Sequence, residues 1–348
     1  MKLAIAYALA SAALFGASTP LAKLLVGEVP PLALAGLLYL GSGIGLAAWL
    51  GLRRIAAGAG RASPIARADR RWLAGAIIAG GVAGPALLMF GLARAEGSAA
   101  SLLLNLEAVL TAAIAWVVFR ENVDRRVFLG MAAIVAGGVL LSWDQIPREG
   151  GLAGPVLIAG ACLAWAVDNN LTRRVSGGDA ATIACLKGLV AGSVNLGLAL
   201  AAGAVLPGAA TLAAAAALGF AGYGVSLALF VVALRHLGTA RTGAYFSVAP
   251  FFGAALAFAV LAETPSAAFW AAAGLMALGV WLHLTERHEH EHLHEPMQHT
   301  HEHVHDEHHR HAHDFPWDGR EPHVHPHRHA RLVHSHPHYP DLHHRHPH

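Results

Sequence analysis

The chain is short of charge. Only 13% of its 348 residues are Asp, Glu, Lys or Arg, against about 25% in ordinary soluble domains. With 55% hydrophobic residues and a mean hydropathy of +0.48, that scarcity places it in the membrane class rather than among soluble globular domains. Cysteine is almost missing. Cys162 and Cys185 lie in apolar runs, form no C-x-x-C and read as small buried hydrophobes; a disulfide stays open, with nothing in the sequence arguing for it. Histidine is scarce in the apolar part: 23 of the 25 histidines fall in residues 288–348.

What is present before residue 288 is a series of long apolar runs. A bilayer core of about 30 Å needs roughly 20 apolar residues as a helix. Ten spans are predicted, near 3–26, 32–52, 72–93, 98–119, 127–143, 152–171, 180–204, 212–234, 239–262 and 267–285. The first starts like a signal peptide, but its apolar run passes Pro20 and reaches Val26, which predicts an uncleaved helix. Thirteen arginines lie in the even-numbered loops, among them Arg53, Arg54, Arg120 and Arg173. Only Lys23, Arg94 and Arg148 occupy the odd-numbered ones. The positive-inside rule makes the even loops and both termini cytoplasmic, in a multi-pass protein of the inner (plasma) membrane. Trp49, Trp72, Trp143, Trp270 and Trp281 fall near span ends, as in aromatic belts.

The sequence also repeats. "GSAASLLLNLEAVLTAAIAWVVFRE", ending at Glu121, has a counterpart in "GTARTGAYFSVAPFFGAALAFAVLAE", ending at Glu263. A looser pair is "LFGASTPLAKLL" and "LAWAVDNNLTRRV". This predicts two five-helix halves, residues 1–145 and 146–287. Because five is odd, the second half enters the membrane from the opposite side. Such inverted repeats occur in secondary transporters, with a site near the midplane between the halves. The fold class expected is an all-α integral membrane protein of ten helices, followed by a disordered tail at 288–348.

"PFFGAALAFAVLAE", with Pro250, Gly253 and Glu263, its first-half copy ending at Glu121, and "LTRRVSGGDAATIACLKGLVAG" resemble the EamA-type branch of the drug/metabolite transporter superfamily. The resemblance covers residues 1–285. It implies a ten-helix secondary carrier, usually an exporter of small metabolites, with alternating access around a central cavity. It says little about substrate. One departure is that Ala108 stands where the second copy has Pro250, which predicts a straighter fourth span.

Ionisable groups inside a span are costly and mark cavities or partners. Glu107 sits near the middle of the fourth span beside Asn105. It is a candidate substrate or proton-coupling site, or else a structural carboxylate. Asp168 and Lys187 lie in adjacent spans at similar depth and are expected to pair across the hairpin. That pairing is one option among three: the two serve as a structural ion pair or, with Asn169 and Asn170, as a cavity charge that binds an amino- or carboxyl-bearing substrate, or Lys187 snorkels to the headgroups. Glu121 and Glu263 end their helices and read as solvated or structural. Tyr39, Tyr223, Tyr245 and Trp165 are candidates for a cavity wall, though apolar packing explains each.

The tail is a different material. Residues 1–287 carry a net charge of +7, the tail −5 with neutral histidine. It alternates H-x-H over long runs, and alternate residues of an extended chain share a face. His288, His290, His292, His294, His299, His301, His303, His305, His308, His309, His311, His313, His323, His325, His327 and His329 are candidate ligands. Imidazole with carboxylate suits divalent Zn, Ni, Co or Cu, whereas the lack of thiolate argues against Cu(I) or an iron–sulfur site. Protonation of all 23 histidines would swing the tail from −5 to +18, so pH sensing near pH 6.5 could accompany metal binding.

Two functions follow. One is an exporter of a small organic metabolite whose tail binds or senses metal; the other is a divalent-metal (Ni, Co or Zn) efflux carrier whose tail collects the ion. A pore that dehydrates such ions normally needs His and carboxylate ligands at mid-depth, and no histidine lies in a span, His236 and His283 being at the ends. This favours the organic substrate. A non-transporting sensor on a carrier fold is a third reading. The chain reads as a carrier and not an enzyme. It needs no cofactor beyond metal on the tail. Its expected partners are the lipid bilayer, a small-molecule substrate and divalent metal ions, without nucleic acid; a homodimer is left open.

Overall fold

The computed structural model describes residues 2–57, 69–119, 125–145, 151–175, 179–285, 289–294, 297–303, 323–329 and 332–337. Contacts divide the chain into a helical unit ending at Glu286 and a unit spanning Arg287–Tyr339.

The helical unit opens with α1 (Lys2–Val26) and α2 (Pro31–Ala57). The third span is composite: α3 (Arg70–Ala76), a π-helical turn (Ile77–Ala83) and α4 (Gly84–Leu92). The fourth is broken into α5 (Gly97–Leu103) and α6 (Leu106–Phe119). Then come α7 (Arg125–Gln145), α8 (Ala153–Val175) and α9 (Ala180–Ala201). A second composite follows: α10 (Ala209–Gly219), a π-helical turn (Phe220–Val225) and α11 (Ser226–Phe246). The unit closes with α12 (Ala249–Leu261) and α13 (Ala267–Leu284).

Six stretches among the described residues are long and apolar enough to cross a membrane, including Leu3–Val26, Gly97–Val118 and Ala209–Ala233. Phe128–Trp143, Ala249–Leu261 and Ala267–Leu282 are shorter apolar helices. α8 matches the others in length, but Asp168, Asn169 and Asn170 dilute its apolar character. Large side chains such as Ile44, Leu52, Val117, Val156 and Trp270 remain exposed on the outside of the unit, where lipid would meet them.

Two expectations about helix boundaries are corrected. The turn expected at 235–238 is absent: α11 continues to Phe246, and the chain bends at Ser247–Val248 instead. Pro250 lies in the first turn of α12, where its missing N–H costs no helical bond. Nor is the fourth span straightened by Ala108. It breaks at Leu104–Asn105, where bonds from Leu104 to Ser101 (3.3 Å), Asn105 to Leu102 (3.0 Å) and Glu107 to Leu104 (3.0 Å) tighten the backbone. The break thus needs no proline; the Asn105 side-chain amide reinforces it by donating to the Leu102 carbonyl (3.1 Å).

The packing has a pattern. α2 lies along α9 and α7 along α13. α1 packs on α11 and α12, while α8 packs on α4 and α6. Glycine permits the α2–α9 approach: a Cβ on Gly188 would stand 2.5 Å from the Gly43 nitrogen, so the backbones meet without side chains between them. Cys162 and Cys185 are buried free thiols.

The second unit contains β1 (Glu289–His294), β2 (Met297–His303), β3 (His323–His329) and β4 (Leu332–Pro337). β1 pairs antiparallel with β4, and β2 with β3. The register sets His290 opposite His336 and His292 opposite His334. It also sets His299, His301 and His303 opposite His327, His325 and His323. Where a tail without regular structure was expected, these segments are extended and paired; H-x-H alternation has the period of two that a strand requires. His288, His305, His308, His309, His311, His313 and Glu121 lie outside the described residues.

Candidate functional site

A cavity of about 70 Å³ lies within the helical unit, where α1, α2, α6, α8, α9 and α11 converge on the second π-helical turn. α8 supplies Trp165, Asp168 and Asn169, a spacing that puts all three on one helix face. Lys187 comes from α9, Glu107 from the first turn of α6, and Tyr39 from α2.

The charges are organised around one ion pair. Lys187 Nζ lies 2.6 Å from both Asp168 carboxylate oxygens and donates to Thr172 Oγ1 at 3.3 Å. Thr172, one turn on, donates to Asp168 Oδ1 at 2.7 Å. Lys187 is only 2% exposed, so it pairs rather than snorkels. Glu107 is half-buried and accepts from Asn169 Nδ2 at 2.8 Å. No cation lies within ion-pair distance of Glu107 among the described residues.

The first π-helical turn is part of the site. A π turn displaces carbonyls from the ordinary ladder, and these need other donors in a medium without water. The Gly80 carbonyl accepts from Tyr39 OH and from Trp165 Nε1, each at 2.9 Å. Asn195 donates to the Gly81 and Val82 carbonyls at 3.2 and 3.3 Å. Gly80 also packs against Asp168 so closely that a Cβ there would overlap the carboxylate. The second π turn brings Gly222 and Tyr223 to the cavity.

Of the residues singled out in the sequence, Glu107, Asp168, Asn169 and Lys187 come together at the cavity, with Tyr39, Trp165 and Tyr223 in its wall. Three do not line it. Asn105 is buried at the helix break, donating to Leu102 and towards Met276 Sδ (3.8 Å). Asn170 turns back on the Ala166 carbonyl (2.8 Å). Tyr245 packs with Ala4, Ala8, Ala233 and Leu237. Sequence reasoning passed over Phe15, Phe230 and Phe246, which also line the cavity, and the π turns; a phenylalanine in an apolar span carries no signal of its own.

A second polar cluster lies at one end of the unit. Lys23, in the last turn of α1, donates to the carbonyls of Leu92 and Ala95 (2.8 Å to the latter) at the end of α4. Glu263 accepts from the Gly97 and Ser98 amides (2.7 and 2.9 Å) that begin α5. A cation therefore holds a helix C-terminus and a carboxylate the adjoining N-terminus, each at the end of the dipole that favours it. Ala262, just before Glu263, adopts a left-handed conformation (φ 51°), which turns the chain from α12 towards this contact. Elsewhere, Asp179 caps α9 through Thr182 (2.9 Å to N, 2.6 Å to Oγ1). Partial burial pushes its carboxyl up, but the Thr182 hydrogen bonds and nearby Arg53 outweigh that and hold it below the ordinary range.

Residues 2–143 and 152–285 each match the EamA-like transporter family. An uncharacterized transporter of Methanothermobacter thermautotrophicus is 31% identical over 189 residues, 52% of this chain and 55% of that one; the match thus spans about half the length of this curated relative. A solved protein crystal structure superposes with a TM-score of 0.61 at 20% identity, covering 81% of this chain and 96% of the other. That likeness is one of fold.

Proposed function

The chain belongs to the EamA-like transporter family, and from that premise we propose that it exports a small organic metabolite across the inner membrane by alternating access between two inverted repeats, residues 1–145 and 146–287. The observation that carries this reading is the cavity, where Glu107, Asn169 and the Asp168–Lys187 pair meet among largely apolar helices. Support for the inverted repeat comes from the two consecutive family matches. Further support comes from the packing, in which α1 on α11 and α12 mirrors α8 on α4 and α6. Both termini are cytoplasmic in this reading, and the Lys23–Glu263 cluster closes the outer end. Glu107 is the site of proton coupling.

The tail, residues 288–348, binds divalent transition metal. Its H-x-H pattern and a register that sets His positions opposite His positions support this, since imidazole with carboxylate suits Zn, Ni, Co or divalent Cu. The alternative, a pore for Ni, Co or Zn fed by the tail, is disfavoured by the cavity. Its lining holds no histidine, Asp168 is engaged by Lys187, and among the described residues no group of three His, Cys, Asp or Glu side chains could hold a metal ion.

The test is flux in proteoliposomes, comparing the full chain with one stopped after Arg287. The organic reading expects no Ni(II) or Zn(II) flux from either, metal binding lost with the tail, and pH-driven flux of organic substrate abolished by Glu107→Gln. Metal flux that survives tail removal and stops with Glu107→Gln would establish the metal pore instead.

A further inference from the structure

We infer that the cavity selects a small organic cation, an amine or quaternary ammonium, over neutral and anionic molecules of the same shape. This rests on the transporter reading and deepens it to a substrate class. Three observations carry it.

The first is the charge of the lining, which holds two carboxylates, Glu107 and Asp168, and one ammonium, Lys187. Asp168 and Lys187 neutralise one another at 2.6 Å. Glu107 is left facing the cavity with one amide donor and, among the described residues, no cation.

The second is that the donors an anion would need are already engaged. The three short contacts of Lys187 go to Asp168 and Thr172. Trp165 Nε1 and Tyr39 OH both donate to Gly80. Asn169 Nδ2 faces Glu107 and Thr111, and Ser226 Oγ donates to the Ser11 carbonyl at 3.0 Å. Of the lining's hydroxyls, only that of Tyr223 has no hydrogen-bond partner among the described residues, and it is a neutral dipole.

The third is an aromatic wall. Phe15 meets Trp165, Tyr223 and Phe246 with ring centroids 5.8, 5.9 and 5.4 Å apart. Tyr39 joins Tyr223 at 5.4 Å, and Phe230 joins Phe246 at 4.9 Å. All six rings line the cavity. Ring faces are negative and attract cations, most strongly where water is excluded. A carboxylate beside several rings is the combination that recognises an ammonium group with an apolar body. The cavity volume of about 70 Å³ keeps that body small, since drug-sized ligands occupy roughly 300–1,000 Å³.

The experiment uses the full chain purified in detergent and three probes of nearly equal shape: choline, its neutral carbon isostere 3,3-dimethylbutanol, and the anion 3,3-dimethylbutanoate. Binding is read by calorimetry. Choline is expected to bind at least tenfold more tightly than the alcohol, with no binding by the carboxylate. Glu107→Gln should lower choline affinity at least tenfold, and Phe246→Leu severalfold, without changing elution or helical content. The comparison on the unaltered chain stands even if a variant fails to fold. Equal or tighter binding of the alcohol or the carboxylate overturns the inference, as does choline affinity unchanged in a folded Glu107→Gln chain, or no binding by any probe. Transport itself is judged separately: Glu107-dependent flux of a neutral or anionic substrate would keep the transporter reading and reject the cation.

Discussion

Removing Lys187 alone should damage this protein more than removing Lys187 and Asp168 together. Two unit charges 2.6 Å apart attract by about 6 kcal/mol at an effective dielectric constant of 20. Desolvating both ions offsets much of that, so the pair as a whole adds little net stability. Deleting one partner is different, because it leaves the other charge buried; the side chains of Lys187 and Asp168 are 3% and 9% exposed. Such a break costs about 3–5 kcal/mol. Lys187→Met strands the Asp168 carboxylate against Gly80, with Thr172 as its remaining hydrogen-bond donor. Asp168→Asn strands the ammonium. The double variant Asp168→Asn/Lys187→Met should regain most of the loss. The assay is equilibrium unfolding in mixed micelles, run as a double-mutant cycle. Single variants that each cost under about 1 kcal/mol, or a double variant whose loss equals the sum of the singles, would refute a coupled buried pair.

Other perturbations have equally definite outcomes. Gly80→Val should prevent the Asp168–Lys187 pair from forming and sharply lower the yield of folded protein, whereas Gly197→Ala in α9, where an added Cβ meets nothing within 4 Å, should leave the yield unchanged. Glu263→Gln removes the charge that holds the Gly97 and Ser98 amides; a cysteine replacing Ala99, which is 1% exposed, should then react with maleimide severalfold faster than in the Glu263 background. Ala262→Gly should stabilise by about 1 kcal/mol, the scale of the left-handed penalty for a residue with a Cβ, as read by thermal unfolding. Asp179→Ala should cost about 1 kcal/mol through the lost cap of α9. Because the Asp179 carboxyl sits below its ordinary range when folded, its contribution should be present at neutral pH and fade as pH falls through that depressed value; a stability difference between the two proteins that persists into strong acid would contradict this.

Much of the architecture was legible because its causes are local. Apolar runs of membrane length, a carboxylate in the middle of one and an acid–base pair at matched depth in two others can be read residue by residue. Glu107, Asp168, Asn169 and Lys187 were found this way, since a polar group in a span has few alternatives to a cavity or a partner. Helix ends were harder. Residues 235–238 were expected between two spans and are helical, while Leu104–Asn105 was expected inside a span and is a break, because local preference at a helix end is weak and packing overrides it. The π turns at Ile77–Ala83 and Phe220–Val225 left no trace beyond runs of glycine and alanine.

By itself the sequence determined the material of the chain: an apolar helical part and a histidine-rich tail whose alternation is set residue by residue. It also determined which charges would be forced to find company in the membrane. Only the tertiary structure decided what that company is. Gly80 is one glycine among 38 until Tyr39, Trp165 and Asp168 close on it from α2 and α8, and Phe15, Phe230 and Phe246 are ordinary apolar residues until α1 and α11 bring their rings together. Those contacts join residues far apart in the chain, and no local pattern of side chains encodes a meeting that depends on how whole helices pack.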